Sequence, residues 1–171
     1  MGVGAGDVFK EQLVTRKPSR MDMTKKTGIV VLAVLVCLAA FLIYPPVFVF
    51  VVIAAGIGVF YLFPLFNVEY EYIFTNGDLD IDVIYAKNRR KRVFSGDVKD
   101  ISVMTHISEK GYEGEFRNVV RKDCTSGVHG ESTYQFAGTY NGKKLQIIFE
   151  PNEMMITAMT PYLGHRLIKK R

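Results

Sequence analysis

Hydrophobic positions along this chain fall into two regimes. Residues 28–66 read GIVVLAVLVCLAAFLIYPPVFVFVVIAAGIGVFYLFPLF, without one charged side chain. Beyond residue 67 apolar residues mostly alternate with polar ones. The first regime is too long for one membrane crossing and suits two, since a crossing takes roughly 20 apolar residues. Pro45 and Pro46 divide it. Consecutive prolines remove two backbone donors and clash with the preceding turn, so a helix breaks there. The pattern predicts a two-span hairpin with arms at 28–44 and 47–66, Tyr44 and Tyr61 marking the two interfaces. Small residues stripe both arms: Ala33, Cys37 and Ala40 on the first, Ala54 and Gly58 on the second. Such stripes let helices approach closely in lipid. Nothing in 28–66 ionises, so the hairpin reads as an anchor rather than a proton or ion path.

The alternating regime predicts a β-rich domain over 67–171. Residues 68–75 and 78–85 alternate on either side of Asn76-Gly77, the strongest short hairpin signal. A two-residue turn sets Phe74 against Leu79, Tyr72 against Ile81 and Tyr70 against Val83, all on one face. The other face carries Glu69, Glu71, Asp80 and Asp82. A basic turn follows, with Lys87, Arg89, Arg90, Lys91 and Arg92. Val93-Phe94 opens a short strand, and 98–104 reads as another, with Ile101 and Val103 inward. Residues 107–131 hold four glycines at 111, 114, 127 and 130 and little periodicity, as in a functional or mobile loop. A second hairpin turns at Asn141-Gly142, setting Phe136 against Ile147 and Tyr134 against Phe149. Pro151 suits the first turn of a helix, and Met155, Met159 and Tyr162 or Leu163 continue it at helical spacing, with Pro161 and Gly164 expected to kink or restart it before it ends at about 168. The expected domain is α+β: five or six antiparallel strands in a sheet or partial barrel, lidded by a C-terminal helix.

Residues 1–27 form a basic segment of their own. Asp7 as N-cap, with Phe9 and Leu13 four apart, predicts a short helix that Pro18 ends. It either lies on the membrane surface or frays.

Charge adds topology. The chain has 171 residues, 22 Lys and Arg against 17 Asp and Glu, and a net charge of +5. Lys25 and Lys26 abut the first arm, and Lys/Arg-rich sequence follows the second. The positive-inside rule then places both termini in the cytoplasm of a multi-pass plasma-membrane protein. The two cysteines, Cys37 and Cys124, fall in different environments and read as free thiols of a reducing compartment. The excess of charge is too modest, and aromatics too rarely interleave with it, to indicate nucleic acid.

Candidate chemistry is sparse. His106, His129 and His165 are scattered as surface or loop residues, without partners at metal-ligand spacing. No CxxC, HExxH, phosphate loop or nucleophile elbow is present. The reading carries no catalytic, cofactor or metal residue, no small-molecule substrate and no enzyme activity. The one charged feature to weigh is Lys87, Arg89, Arg90, Lys91 and Arg92. Near a bilayer each contributes about 1 kcal/mol of attraction to anionic headgroups. Their competing role is to balance Glu69, Glu71, Asp80 and Asp82 on the adjacent strands.

The order of strands and terminal helix resembles the pleckstrin-homology-like (PH-like) architecture of bacterial membrane proteins. More closely, residues 67–82 (NVEYEYIFTNGDLDID), 90–95 (RKRVFS) and 149–153 (FEPNE) resemble a family of small two-span membrane proteins of Gram-positive bacteria, a domain of unknown function. The resemblance implies bacterial origin and a hairpin joined to a β-domain. It implies no activity and no functional residues. The sequence therefore points to a membrane anchor holding a cytoplasmic β-domain. Its expected partners are the lipid bilayer and another membrane or cytoplasmic protein. Two alternatives stand beside it: an accessory subunit of a transporter or envelope complex, and a sensor of anionic lipid.

Overall fold

The computed structural model describes residues 7–170. Residues 1–6 of the expected 1–27 segment, and Arg171 of the basic tail, lie outside them. The apolar stretch forms two helices, α1 (Arg20–Ile43) and α2 (Phe48–Leu62). A 3-10 turn at Pro45–Val47 joins them, and a second at Phe63–Phe66 prolongs α2. The two prolines stand at the start of that first turn, where a missing N–H costs nothing. Helix α1 starts well before residue 28 because Ser19 and Asp22 form a capping box. The Ser19 amide donates to Asp22 Oδ2 (3.0 Å) and the Met21 amide to Ser19 Oγ (3.3 Å). Arg20–Ile43 and Pro45–Phe66, which is α2 with its flanking 3-10 turns, are each long and apolar enough to cross a membrane, and no residue of α1 or α2 is buried. Ala33, Cys37 and Ala40 are half-buried along α1, as the stripe predicts. On α2 the half-buried positions are Phe48, Val51, Ala55, Gly58 and Val59. Ala54 and Gly58 both line the groove between the arms, as the expected pair requires, with Ala55 beside them.

The N-terminal segment departs most from expectation. Residues 9–15 are not a surface helix. They form strand β1 (Phe9–Thr15), antiparallel to β2 (Val68–Thr75), from Phe9 opposite Thr75 to Thr15 opposite Glu69. Phe9 and Leu13, four apart, share a strand face as readily as a helix face. A helix this short is unstable alone, whereas the open edge of β2 supplies partners along the whole strand. The hairpin α1–α2 is thus inserted between two neighbouring strands of one sheet.

Strand β3 (Asp78–Tyr85) pairs with β2 in the predicted register: Phe74 opposite Leu79, Tyr72 opposite Ile81, Tyr70 opposite Val83. Asn76 and Gly77 hold the turn at φ 50° and 111°, as a two-residue turn of this kind demands. Strand β4 (Arg89–Asp97) completes a sheet of order β1-β2-β3-β4. The basic turn is therefore shorter than expected. The chain reverses over 86–88, with Ala86 and Lys87 at φ 54° and 57°, and Arg89 already belongs to a strand.

The second sheet is built from β5 (Met104–His106), β6 (Val120–Asp123), β7 (Tyr134–Tyr140), β8 (Lys143–Phe149) and β9 (Leu167–Ile168). Its order is β6-β8-β7-β5-β9. Pairs β6–β8 and β5–β9 are parallel, which corrects the all-antiparallel expectation of five or six strands. The β7–β8 hairpin keeps its predicted register. The strand expected at 98–104 is instead a 3-10 turn (Val98–Asp100) leading into β5, although Ile101 and Val103 are buried as read. Within 107–131 lie a 3-10 turn (Glu113–Phe116) and β6, so this stretch is not one loop.

The C-terminal helix α3 (Glu153–Leu163) is shorter than the expected 151–168. Asn152 caps it, accepting from the Met155 amide at 2.8 Å. Gly164 ends it at φ 56°, and a 3-10 turn (Gly164–Arg166) leads into β9. Met155, Ile156, Met159 and Leu163 face the core. A run of edge-to-face rings crosses that core from Phe94 to Phe136 (5.1 Å), Phe149 (5.4 Å) and Tyr72 (5.5 Å). The two sheets remain separate hydrogen-bonded units and do not close into a barrel.

Candidate functional site

Three backbone hydrogen bonds gather the charged segments at one end of the domain, where the hairpin leaves it. The Arg16 amide donates to the Val68 carbonyl (2.9 Å), tying the entry into α1 to the start of β2. The Ala86 amide donates to the Asn67 carbonyl (2.9 Å), placing the β3–β4 turn beside the exit from α2. The Lys17 amide donates to the Ser126 carbonyl (2.7 Å), adding the loop after β6. Lys26 Nζ lies 5.8 Å from the rings of both Phe63 and Phe66 at the base of the hairpin.

The structure splits the predicted basic set. Phe94 stands opposite Ile81, and Arg92 opposite Asp82. Val93 is therefore an extra residue, a β-bulge, and it inverts the facing of the strand below it. Arg90 and Arg92 come to lie on the outer face among the carboxylates. Arg92 pairs with Asp80 (2.7 Å) and with both oxygens of Asp82. Arg90 pairs with Glu71 (2.8 Å) and approaches Asp82 (3.8 Å). Asp82 is only 1% exposed, so these ion pairs offset its burial. Burial pushes the Glu71 carboxyl above its ordinary value, and Arg90 works against that. The hydrogen bond to Asp82 holds Arg92 still more firmly charged. These two arginines balance the acidic stripe.

The bulge sends Lys91 the other way. It stands opposite Val83, which stands opposite Tyr70 on the inner face. Among the described residues Lys87, Arg89 and Lys91 have no carboxylate partner. Lys91 lines a cleft of about 530 Å³ where the two sheets part. Lys122 of β6 and Lys143 of β8 line the same cleft, as do Tyr70, Tyr85 and Tyr140. Burial raises the Tyr70 hydroxyl to about 12 and the Cys124 thiol, at the cleft floor, to about 12. Both stay protonated at neutral pH. Burial also acts to raise Asp123, but the Thr125 hydroxyl and amide and His129 hold its carboxyl below the usual range. Its oxygens take up Thr125 Oγ1 (2.6 Å) and His129 Nε2 (2.9 Å).

The sequence reading missed Lys122, Lys143 and the cleft altogether. It placed Lys122 in a loop, and nothing local says that β6 docks in parallel on β8. One signal was present. Val93 and Phe94 are adjacent apolar residues that break the alternation, which is how a bulge reads in sequence. Nor is His106 a surface residue. It is buried in β5, with Ser108 Oγ 2.7 Å from Nδ1 and the Gly130 carbonyl 3.2 Å from Nε2.

Two packed sheets, antiparallel in the main, not closed, and covered by a C-terminal helix, define a PH-like domain, here carrying two apolar helices. The chain belongs to the bacterial PH-like domain family DUF6106, which it matches over residues 6–169. No curated protein and no solved structure matches the chain.

Proposed function

We propose that this is a two-span membrane protein whose PH-like domain is held against the bilayer and works there as a surface module. One observation carries the reading: β1 and β2, the strands that flank the hairpin, pair directly with each other. A single kinked span leaves its two ends on opposite sides of the membrane and forbids that pairing. Two spans bring the ends together. The exposed apolar surface of both helices supports the same reading, because water around so large an unpaired patch is unfavourable. Arg16, Lys17, Arg20, Lys25 and Lys26 precede or open α1, so the positive-inside rule supports a cytoplasmic domain. Lys87 on the turn beside the α2 exit and Arg89 at the start of β4 have no carboxylate partner among the described residues and suit contact with anionic headgroups.

Single cysteines test this at two exposed positions, Lys10 in β1 and Thr157 in α3, in a Cys37→Ala, Cys124→Ala background. In right-side-out cells a membrane-impermeant maleimide is expected to label neither, and in inverted vesicles both. Labelling of the two positions from opposite sides overturns the hairpin. Lys87→Gln with Arg89→Gln is expected to increase hydrogen exchange at the 86–88 turn in anionic bilayers but not in neutral ones. Equal exchange in both bilayers removes the surface role.

A further inference from the structure

The cleft between the sheets has a composition that its structural role does not require. Three lysines reach it from three different strands: Lys91 from β4, Lys122 from β6 and Lys143 from β8. Among the described residues none of the three has an ion pair or a side-chain hydrogen bond. This contrasts with the opposite face of β4, where Arg90 and Arg92 are both spoken for. Asp123 is the one acid lining the cleft, and its oxygens are engaged by Thr125 and His129. The field in the cleft is accordingly positive, and like charges repel there unless an anion joins them.

The bulge at Val93 makes this arrangement. Without it the strand continues in phase from Phe94, and Arg92 and Arg90 face inward while Lys91 faces out. The extra residue delivers a flexible, strongly hydrated ammonium to the cleft, while Arg92, which also borders it, stays committed to Asp80 and Asp82 and Arg90 lies outside it. Bulges concentrate beside binding sites because they re-aim a side chain in this way. The rest of the wall suits a ligand with one charged end. Val83, Val93 and Leu145 are apolar, whereas Tyr85 and Asn141 offer polar groups at the rim. A volume of about 530 Å³ falls within the range of small-molecule sites.

We infer that this cleft binds a phosphate-bearing anion, with Lys91, Lys122 and Lys143 as its charged wall. Two sources share that chemistry, an anionic lipid headgroup and a soluble phosphate compound. The lipid form rests on the membrane-surface reading above, and the soluble form does not. Both spare a ligand the cost of assembling the site, because the lysines are carried on paired strands rather than on a loop.

The test uses the full chain in lipid nanodiscs and follows the labelling rate of each lysine amine by mass spectrometry. One arm is phosphatidylcholine alone. A second adds inorganic phosphate against chloride of equal ionic strength. A third replaces about a third of the lipid with phosphatidylglycerol, enough for a strongly negative surface. Lys91, Lys122 and Lys143 are expected to slow about fivefold, the factor that corresponds to one favourable charge contact per lysine. Lys110 and Lys144, exposed and not among the residues that line the cleft, are expected to change little. In a Lys122→Gln variant the protection of Lys91 and Lys143 is lost together, which general screening does not produce. Lys122 is exposed, so the variant keeps the fold. Slowing with phosphate identifies a soluble anion, and slowing with phosphatidylglycerol alone identifies a headgroup. If the cleft lysines slow no more than Lys110 and Lys144 in either arm, the inference fails. If Lys87 alone slows in the anionic discs, the cleft inference fails while the membrane-surface reading stands.

Discussion

Gly138 in β7 is the position where the two sheets press hardest on each other. A Cβ built there lies 2.6 and 2.9 Å from the Phe94 ring and 3.2 Å from the Phe136 ring. Carbon atoms rest at about 3.5–4.0 Å, so Gly138→Ala requires Phe94 to move by about 1 Å. Phe94 has nowhere to go. It is 2% exposed, edge-packed on Phe136 at 5.1 Å and backed by Tyr140 at 6.4 Å, and it adjoins the bulge at Val93. Overpacking of this kind costs about 1–3 kcal/mol, while alanine in place of a strand glycine returns about 0.5–1 kcal/mol of backbone entropy. The expected net loss is about 1–2 kcal/mol, which lowers the midpoint of a domain this size by about 5–15 °C. The assay is thermal unfolding of the full chain in detergent micelles, followed by tyrosine fluorescence, which is clean because the chain has no tryptophan and nine tyrosines. Phe94→Leu on its own leaves a void, but combined with Gly138→Ala it relieves the clash. The pair is expected to lose less than the sum of the singles by more than about 0.5 kcal/mol. A Gly138→Ala protein within about 0.5 kcal/mol of the parent, or strictly additive singles, refutes the reasoning.

Three further outcomes are expected. Gln12 bridges the sheet to the start of α3, donating to the Glu150 carbonyl (2.7 Å) and accepting from the Asn152 amide (2.7 Å). Gln12→Ala strands both groups and is expected to cost about 1–3 kcal/mol in the same melt. The Cys124 thiol, 1% exposed and raised to about 12 by burial, is expected to resist maleimide at neutral pH until the domain unfolds; prompt labelling of native protein contradicts its burial. Asp123 carries a folded-state pKa below its unfolded one, so its contribution is present above the ordinary carboxylate range and is lost as pH falls through the folded value. Asp123→Asn is expected to flatten the acid limb of the stability–pH curve, and an unchanged limb removes Asp123 from that role.

The registers of both Asn-Gly hairpins were legible to the residue. In each, Asn-Gly sets the register and the apolar face falls into line with it, so local and tertiary signals agree. The apolar hairpin was legible for the same reason: length, prolines and small residues point one way. What could not be read was pairing at a distance. β1 looks helical in isolation because Phe9 and Leu13 suit either period, and only β2, on the far side of the hairpin, decides between them. β6 carries Val120-Arg-Lys-Asp, four exposed residues with no inward pattern of their own. The cleft follows from that docking together with one bulged residue, and neither is a local property. The five basic residues, taken as one group, divide because alternation assigns them to two faces with opposite electrostatic duties.

The insertion of the hairpin between β1 and β2 imposes an order on synthesis. β1 leaves the ribosome first but has no sheet to join until β2 has followed both apolar helices. In the two-span topology proposed above, its partner becomes available only when those helices have returned the chain to the side it started from. Assembly of the first sheet is therefore a report that the hairpin has been threaded correctly. A chain whose second helix fails to cross leaves β1 and β2 on opposite sides, with an unpaired edge on each. Such a molecule presents the exposed strand and apolar side chains that chaperones and proteases recognise. On the proposed topology the β-domain thus proofreads its own anchor, with no added part beyond a seven-residue strand.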